Sequence, residues 1–205
     1  MKLFSVDGGL YKFMDSLASV FKLNMLWLLC SLPIVTSGAA TIAAFDVALK
    51  MVDEQEGYIG KQFFKAFKAN LKRGIPLGIM GLVCLYVVWL DFSLYDQIED
   101  ASIMFVVMGI LAAFVFSLAF LYVFPLQARY ENTIFRTLEN SFNISLKYYA
   151  RTLLLIIVLA VEFVIMMWNL TTMFIGALIG PACIIYTISG IAKPIFRELE
   201  QEQKS

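Results

Sequence analysis

From Ser102 to Phe124 the chain carries no charged residue, and Pro125 follows directly. That run exceeds the ~20 residues a helix needs to cross ~30 Å of hydrocarbon. It constrains the fold more than any other feature, because lipid offers the backbone no hydrogen-bond partners. Only helices and closed barrels satisfy every N–H and C=O there. The apolar runs of this chain lack the alternation of barrel strands, so helices are the reading that remains. Composition agrees: 60% of the 205 residues are hydrophobic and 16% charged, against about 45–50% and 25% in a soluble domain. The predicted fold class is all-α. It is a polytopic transmembrane helix bundle of about six segments, one integral membrane domain over 1–205, with two amphipathic cytoplasmic helices.

The predicted segments are about 17–35, 36–52, 74–90, 102–126, 152–168 and 172–192. Basic residues sort to one side of them. Lys2, Lys12 and Lys22 lie in the N-terminal stretch. Lys50, Lys61, Lys65, Lys68, Lys72 and Arg73 lie in the stretch from the end of the second segment to the start of the third. Arg129, Arg136, Lys147 and Arg151 follow the fourth, and Lys193, Arg197 and Lys204 follow the sixth. These are all sixteen Lys and Arg. The opposite turns hold none, and one of them is acidic, with Asp91, Asp96, Glu99 and Asp100. Lys and Arg mark the cytoplasmic side, so both termini are predicted to be cytoplasmic. The stretch Thr36–Val52 is short, roughly 25 Å as a helix, and Pro33, Ser37 and Gly38 break the chain before it. A hairpin or a shallow re-entrant pair over 17–52 keeps the charge rule, whereas one long helix breaks it. The hairpin is the preferred arrangement.

Several functions are excluded or disfavoured. The chain has no His, which removes the commonest general base, a leading zinc ligand and the usual haem ligand. Cys30, Cys84 and Cys183 each sit alone within an apolar segment and read as small core residues, without metal-ligand or disulfide spacing. The first thirty residues do not read as a cleavable signal, and the Met-Lys start offers no lipidation motif. No carboxylate pair or nucleophile–base motif points to an enzyme. Neither cofactor nor nucleic acid is expected.

The stretch LNMLWLLCSLPIVTSGAATIAAFDVALKMVDEQEGYIGKQFFKAFKANLKR, from Leu23 to Arg73, resembles the YesL family of bacterial integral membrane proteins, domain of unknown function 624. So do LFSVDGGLYKFMD, from Leu3 to Asp15, and QARYENTIFRTLENSF, from Gln127 to Phe142. The resemblance covers essentially the whole chain, and LPIVTSGA and QARYENT are its most specific parts. It implies a fold and a multi-pass location in the bacterial plasma membrane, not an activity. Family members resemble neighbours of carbohydrate uptake systems, which implies membrane transport subunits as partners. The resemblance assigns no acidic residue to Asp46 or Glu162, so a site there would be this chain's own.

Two loops read as amphipathic helices. Over 61–73, Lys61, Lys65, Lys68 and Lys72 share one arc, while Phe63, Phe64, Phe67 and Leu71 share another. This predicts a helix in the membrane interface, with phenylalanines in the acyl boundary and a lysine stripe at the headgroups. Over 130–149, Ile134, Phe135, Leu138, Phe142, Leu146 and Tyr149 share an arc. Arg129, Arg136, Asn140, Asn143 and Lys147 share the opposite one, a candidate docking face for a cytoplasmic protein. Glu139 has the spacing to pair with Arg136. Transporter ATPases are engaged by helices of this general kind, although no permease EAA–Gly motif is present. A solvated face is the plain alternative for both.

Asn24, Asp46 and Glu162 are the polar outliers within the segments. A carboxyl at mid-membrane costs roughly 2.5–3.5 kcal/mol and normally faces protein or water. Lys50 lies one turn from Asp46 and can pair with it. Small residues at Ala40/Ala44, Gly74/Gly78 and Gly176/Gly180 permit close helix packing. Three functions follow: a non-enzymatic accessory or regulatory component, a small secondary transporter or channel using Glu162, and, least supported, an intramembrane enzyme. The partners expected are the lipid bilayer, a cytoplasmic protein or transport subunit, and a second copy of the chain.

Overall fold

The computed structural model describes residues 9–53, 57–97 and 103–202. All the regular structure in them is helical. The elements are α1 (Gly9–Ser31), a 3-10 turn (Ile34–Thr36), α2 (Ser37–Met51), α3 (Ile59–Gln97), α4 (Met104–Phe120), α5 (Val123–Arg129), α6 (Ile134–Lys147), α7 (Tyr149–Met167) and α8 (Leu170–Glu202). The chain is an all-α helical bundle. Five stretches are long and apolar enough to cross a membrane: Ile34–Met51, Ile59–Leu94, Met104–Arg129, Tyr149–Met167 and Leu170–Glu202. α1 is not among them. Of the acidic turn, Glu99 and Asp100 lie outside the described residues, as do Lys2 and Lys204.

α2 is the centre of the bundle. Its run of Ala39, Ala40, Ala43, Ala44 and Ala48 is small on every side, so neighbours approach all round, and eleven of its fifteen residues are buried. In lipid the hydrophobic effect does not drive such contacts, and close van der Waals packing does. Gly38 shows how close: a Cβ there would lie 2.2 Å from the Gly74 carbonyl oxygen and 2.7 Å from the Gly78 Cα. α3 pairs with α4, and α7 with α8, while α1, α2 and α5 link the two pairs.

Three expected boundaries differ. The helix over 61–73 is not separate from the span over 74–90: both belong to α3, roughly 58 Å long, with Pro76 inside it. Its phenylalanines do not all lie outward. Phe63 is fully buried and Phe67 packs in the same core with α2, and only Phe64 is exposed. The packing partner is α2, which the wheel of a single segment cannot show. The run 102–126 breaks at Leu121–Tyr122 into α4 and α5, since Pro125 has no N–H to continue the ladder. The last helix does not stop near Ala192 but runs on to Glu202.

At the α1–α2 turn, Leu32 precedes Pro33, where helix is disfavoured. The Thr36 hydroxyl donates to the Cys30 carbonyl (2.7 Å) and closes an open end of α1. The turn leads into the Gly38–Gly78 contact near the middle of α3, so α3 continues well beyond the tip of the pair.

Candidate functional site

The three polar outliers are not brought together. Asn24 is fully buried and clasps α8 at Pro181. Its amide donates to the carbonyls of Leu178 (2.7 Å) and Ala177 (3.3 Å), and its oxygen accepts from the Ala182 N–H (3.1 Å). Pro181 cannot bond Ala177, so Asn24 supplies the donor that the helix lacks. Lys50 donates to Asp46 at 2.6 Å, one turn apart. Glu162 faces α8, where the Thr187 hydroxyl donates to its Oε1 at 2.6 Å. Its Oε2 is buried with no hydrogen-bond partner, beside a cavity of about 300 Å³ that includes Thr172, Gly176 and Cys183.

A second clasp, missed in the sequence, holds α6. The face of α6 turned inward carries Thr137, Ser141, Ile144 and Ser145, not the apolar arc, whose Phe135, Phe142, Leu146 and Tyr149 are exposed. The Ser145 hydroxyl donates to the Leu118 carbonyl (2.7 Å), and the Tyr122 N–H donates to the Ser141 hydroxyl (3.2 Å). These backbone groups flank the α4–α5 break. Thr137 donates to Gln127 on α5 at 2.8 Å. The signal was present as hydroxyls at three- and four-residue spacing, but it reads as a polar, solvated row until the break is seen.

The predicted docking face is divided. Arg129 grips Glu200 of α8 with two bonds, at 2.9 and 3.1 Å, and the Tyr130 hydroxyl donates to the same carboxylate at 2.7 Å. Burial, with the Glu200 bond, pushes the Tyr130 phenol up to about 12. Lys147 meets Glu202 at 2.5 Å, and Arg151 meets Glu198 at 2.7 Å. Alternate acids on the end of α8 thus occupy basic residues of three helices, and Arg129 and Lys147 are engaged within the chain. Arg136, Asn140 and Asn143 stay exposed. Arg136 and Glu139 are not joined as an ion pair: both are exposed, where such a pair gains little. Between α6 and α8 lies a cleft of about 380 Å³ lined by Tyr130, Asn132, Asn140, Asn143, Lys147 and Glu200, among others.

At the end of α2, Asp53 takes a 2.5 Å bond from Arg197 and an ion pair from the buried Lys193, whose ammonium also donates to the Leu49 carbonyl. The Lys193 bond holds the Asp53 carboxyl below its usual range. The lysine stripe stays outward: Lys61, Lys65, Lys68 and Lys72 are all exposed. Among the described residues no group of three or more His, Cys, Asp or Glu could hold a metal ion.

Residues 20–92 match the family model described as "Protein of unknown function, DUF624". The chain is 25% identical over 210 residues to "Uncharacterized protein YesL" of Bacillus subtilis (strain 168), covering 100% of this chain and 97% of that relative. No solved structure matches the chain.

Proposed function

We propose that the chain, which is similar to the DUF624 family model over residues 20–92 and to YesL over its whole length, is a non-enzymatic accessory or regulatory component of the bacterial plasma membrane, docking a cytoplasmic partner on α6. The observation that carries this reading is the cleft between α6 and α8, rimmed by the exposed Asn140 and Asn143. Ion pairs tie the end of α8 in place beside it, so the surface is held ready rather than formed on binding. A membrane transport subunit is the partner proposed, and its tie to carbohydrate uptake rests on the family resemblance alone.

The placement in the membrane follows the charges. With α3, α4, α7 and α8 as spans and α1 and α2 as a re-entrant pair, both termini and every described Lys and Arg lie on the cytoplasmic side. Affinity isolation from native membranes tests the docking. Arg136→Glu with Asn140→Ala and Asn143→Ala should lose transport subunits that the wild type retains. If every partner stays, docking on α6 is wrong.

A second reading is a small secondary transporter, favoured by the buried, unpartnered Oε2 of Glu162. Glu162→Gln should then abolish proton-coupled flux in reconstituted vesicles. Unchanged flux removes that site.

A further inference from the structure

One row of α3 joins two chemistries. Steps of three and four residues keep to one helix face, and such steps run from Lys61 through Lys65, Lys68, Lys72, Ile75, Ile79 and Leu82 to Tyr86. The four lysines are exposed, and so are Ile79, Leu82 and Tyr86. The opposite face of α3 is the buried one, where Phe63, Gly74, Leu77 and Gly78 turn toward α2 and its neighbours. The lysine row is therefore at the perimeter of the molecule, directly below a row of apolar side chains of which Ile75 is half-buried and Ile79, Leu82 and Tyr86 are exposed.

Charge pairing singles out the same row. Lys50, Arg73, Arg129, Lys147, Arg151, Lys193 and Arg197 each meet a carboxylate. None of the four stripe lysines forms an ion pair with a described residue. Apart from Lys22 on α1 and Arg136 on α6, the exposed basic side chains without an ion pair to a described residue are thus gathered on α3, just before the predicted segment 74–90.

We infer that this row is a binding site for an anionic phospholipid of the cytoplasmic leaflet. Its phosphate sits at Lys68 and Lys72, and an acyl chain lies along Ile75, Ile79, Leu82 and Tyr86. The length fits: Ile75 to Tyr86 rises roughly 17 Å, close to half of the ~30 Å hydrocarbon. Lys61 and Lys65 extend the cationic row below the phosphate. The inference rests on the membrane placement proposed above and not on docking at α6.

The test uses the full chain in phosphatidylcholine bilayers with trace spin-labelled phosphatidylglycerol or phosphatidylcholine. The ratio of their protein-immobilised fractions is the readout. The wild type should favour phosphatidylglycerol, less so as salt is raised. Lys68→Gln with Lys72→Gln should bring the ratio toward one; a lysine at an anionic surface is worth about fivefold at its site. Lys22→Gln, exposed and off the row, should leave it unchanged. An immobilised phosphatidylcholine fraction shows that the spans are in the bilayer, so its absence would sink the membrane placement itself. A wild-type ratio of one overturns the lipid site, as does an equal loss in the Lys22→Gln control. If the stripe variants instead keep the ratio and lose an acidic co-isolated protein, the row docks protein and the lipid site is wrong.

Discussion

Gly38 meets the backbone of α3 so closely that a methyl group has nowhere to go. The Cβ of an alanine would fall 2.2 Å from the Gly74 oxygen, a backbone atom that cannot swing aside. Gly38→Ala should force the two helices apart and cost ~1–3 kcal/mol, read as a lower unfolding midpoint in detergent. Gly60, also in α3, has nothing within 4 Å of its Cβ position, and Gly60→Ala should cost nothing. Asp53 makes a second prediction at this scale. Its carboxyl is held below the usual range by Lys193. Its contribution is therefore present above the unfolded carboxylate value of about 3.9 and lost as pH falls below it. Thermal stability should drop between pH 5 and pH 3 in the wild type, and by less in Asp53→Asn. Tyr130 works in the opposite direction. Its phenol is pushed up to about 12, so its share is intact below the unfolded value of about 10 and fades as pH rises through 12.

At the scale of elements, the bundle is joined where helices break. Pro181 and the α4–α5 junction each leave backbone groups without helical partners, and a polar side chain from another helix meets them: Asn24 at the first, Ser141 and Ser145 at the second. Such groups are costly to strand in hydrocarbon, so each break becomes a point of attachment. Ser141→Ala with Ser145→Ala should loosen α6 from α4 by ~1–3 kcal/mol, measured as faster amide exchange over 134–147 with α7 and α8 unchanged. Equal exchange in the variant would show that α6 is held by its apolar contacts, the Thr137–Gln127 bond and the Lys147–Glu202 pair instead. The amphipathic wheel of 130–149 sets apolar residues on one arc and charged ones on the opposite arc. It misses the inward face because the residues there are small hydroxyls, whose partners lie some twenty to thirty residues earlier in the chain.

At the scale of the molecule, the pair α1–α2 decides how many times the chain crosses. Its tip meets α3 at Gly74 and Gly78, near the middle of that helix, so in the re-entrant placement a cysteine at Ser37 should resist an impermeant thiol reagent added outside intact cells. A cysteine at Thr171, in the first turn of α8, should react. Strong external reaction at Ser37 would instead favour six full crossings. The helical class, the apolar runs and the ordering of basic residues were legible from composition and spacing, because the cost of charge and of unpaired backbone in hydrocarbon acts on each segment alone. The central place of α2, the burial of Lys193 and the pairing of Arg129 and Lys147 with the end of α8 were not. They depend on which faces meet, and a segment's own periodicity shows that it has a face but not what covers it.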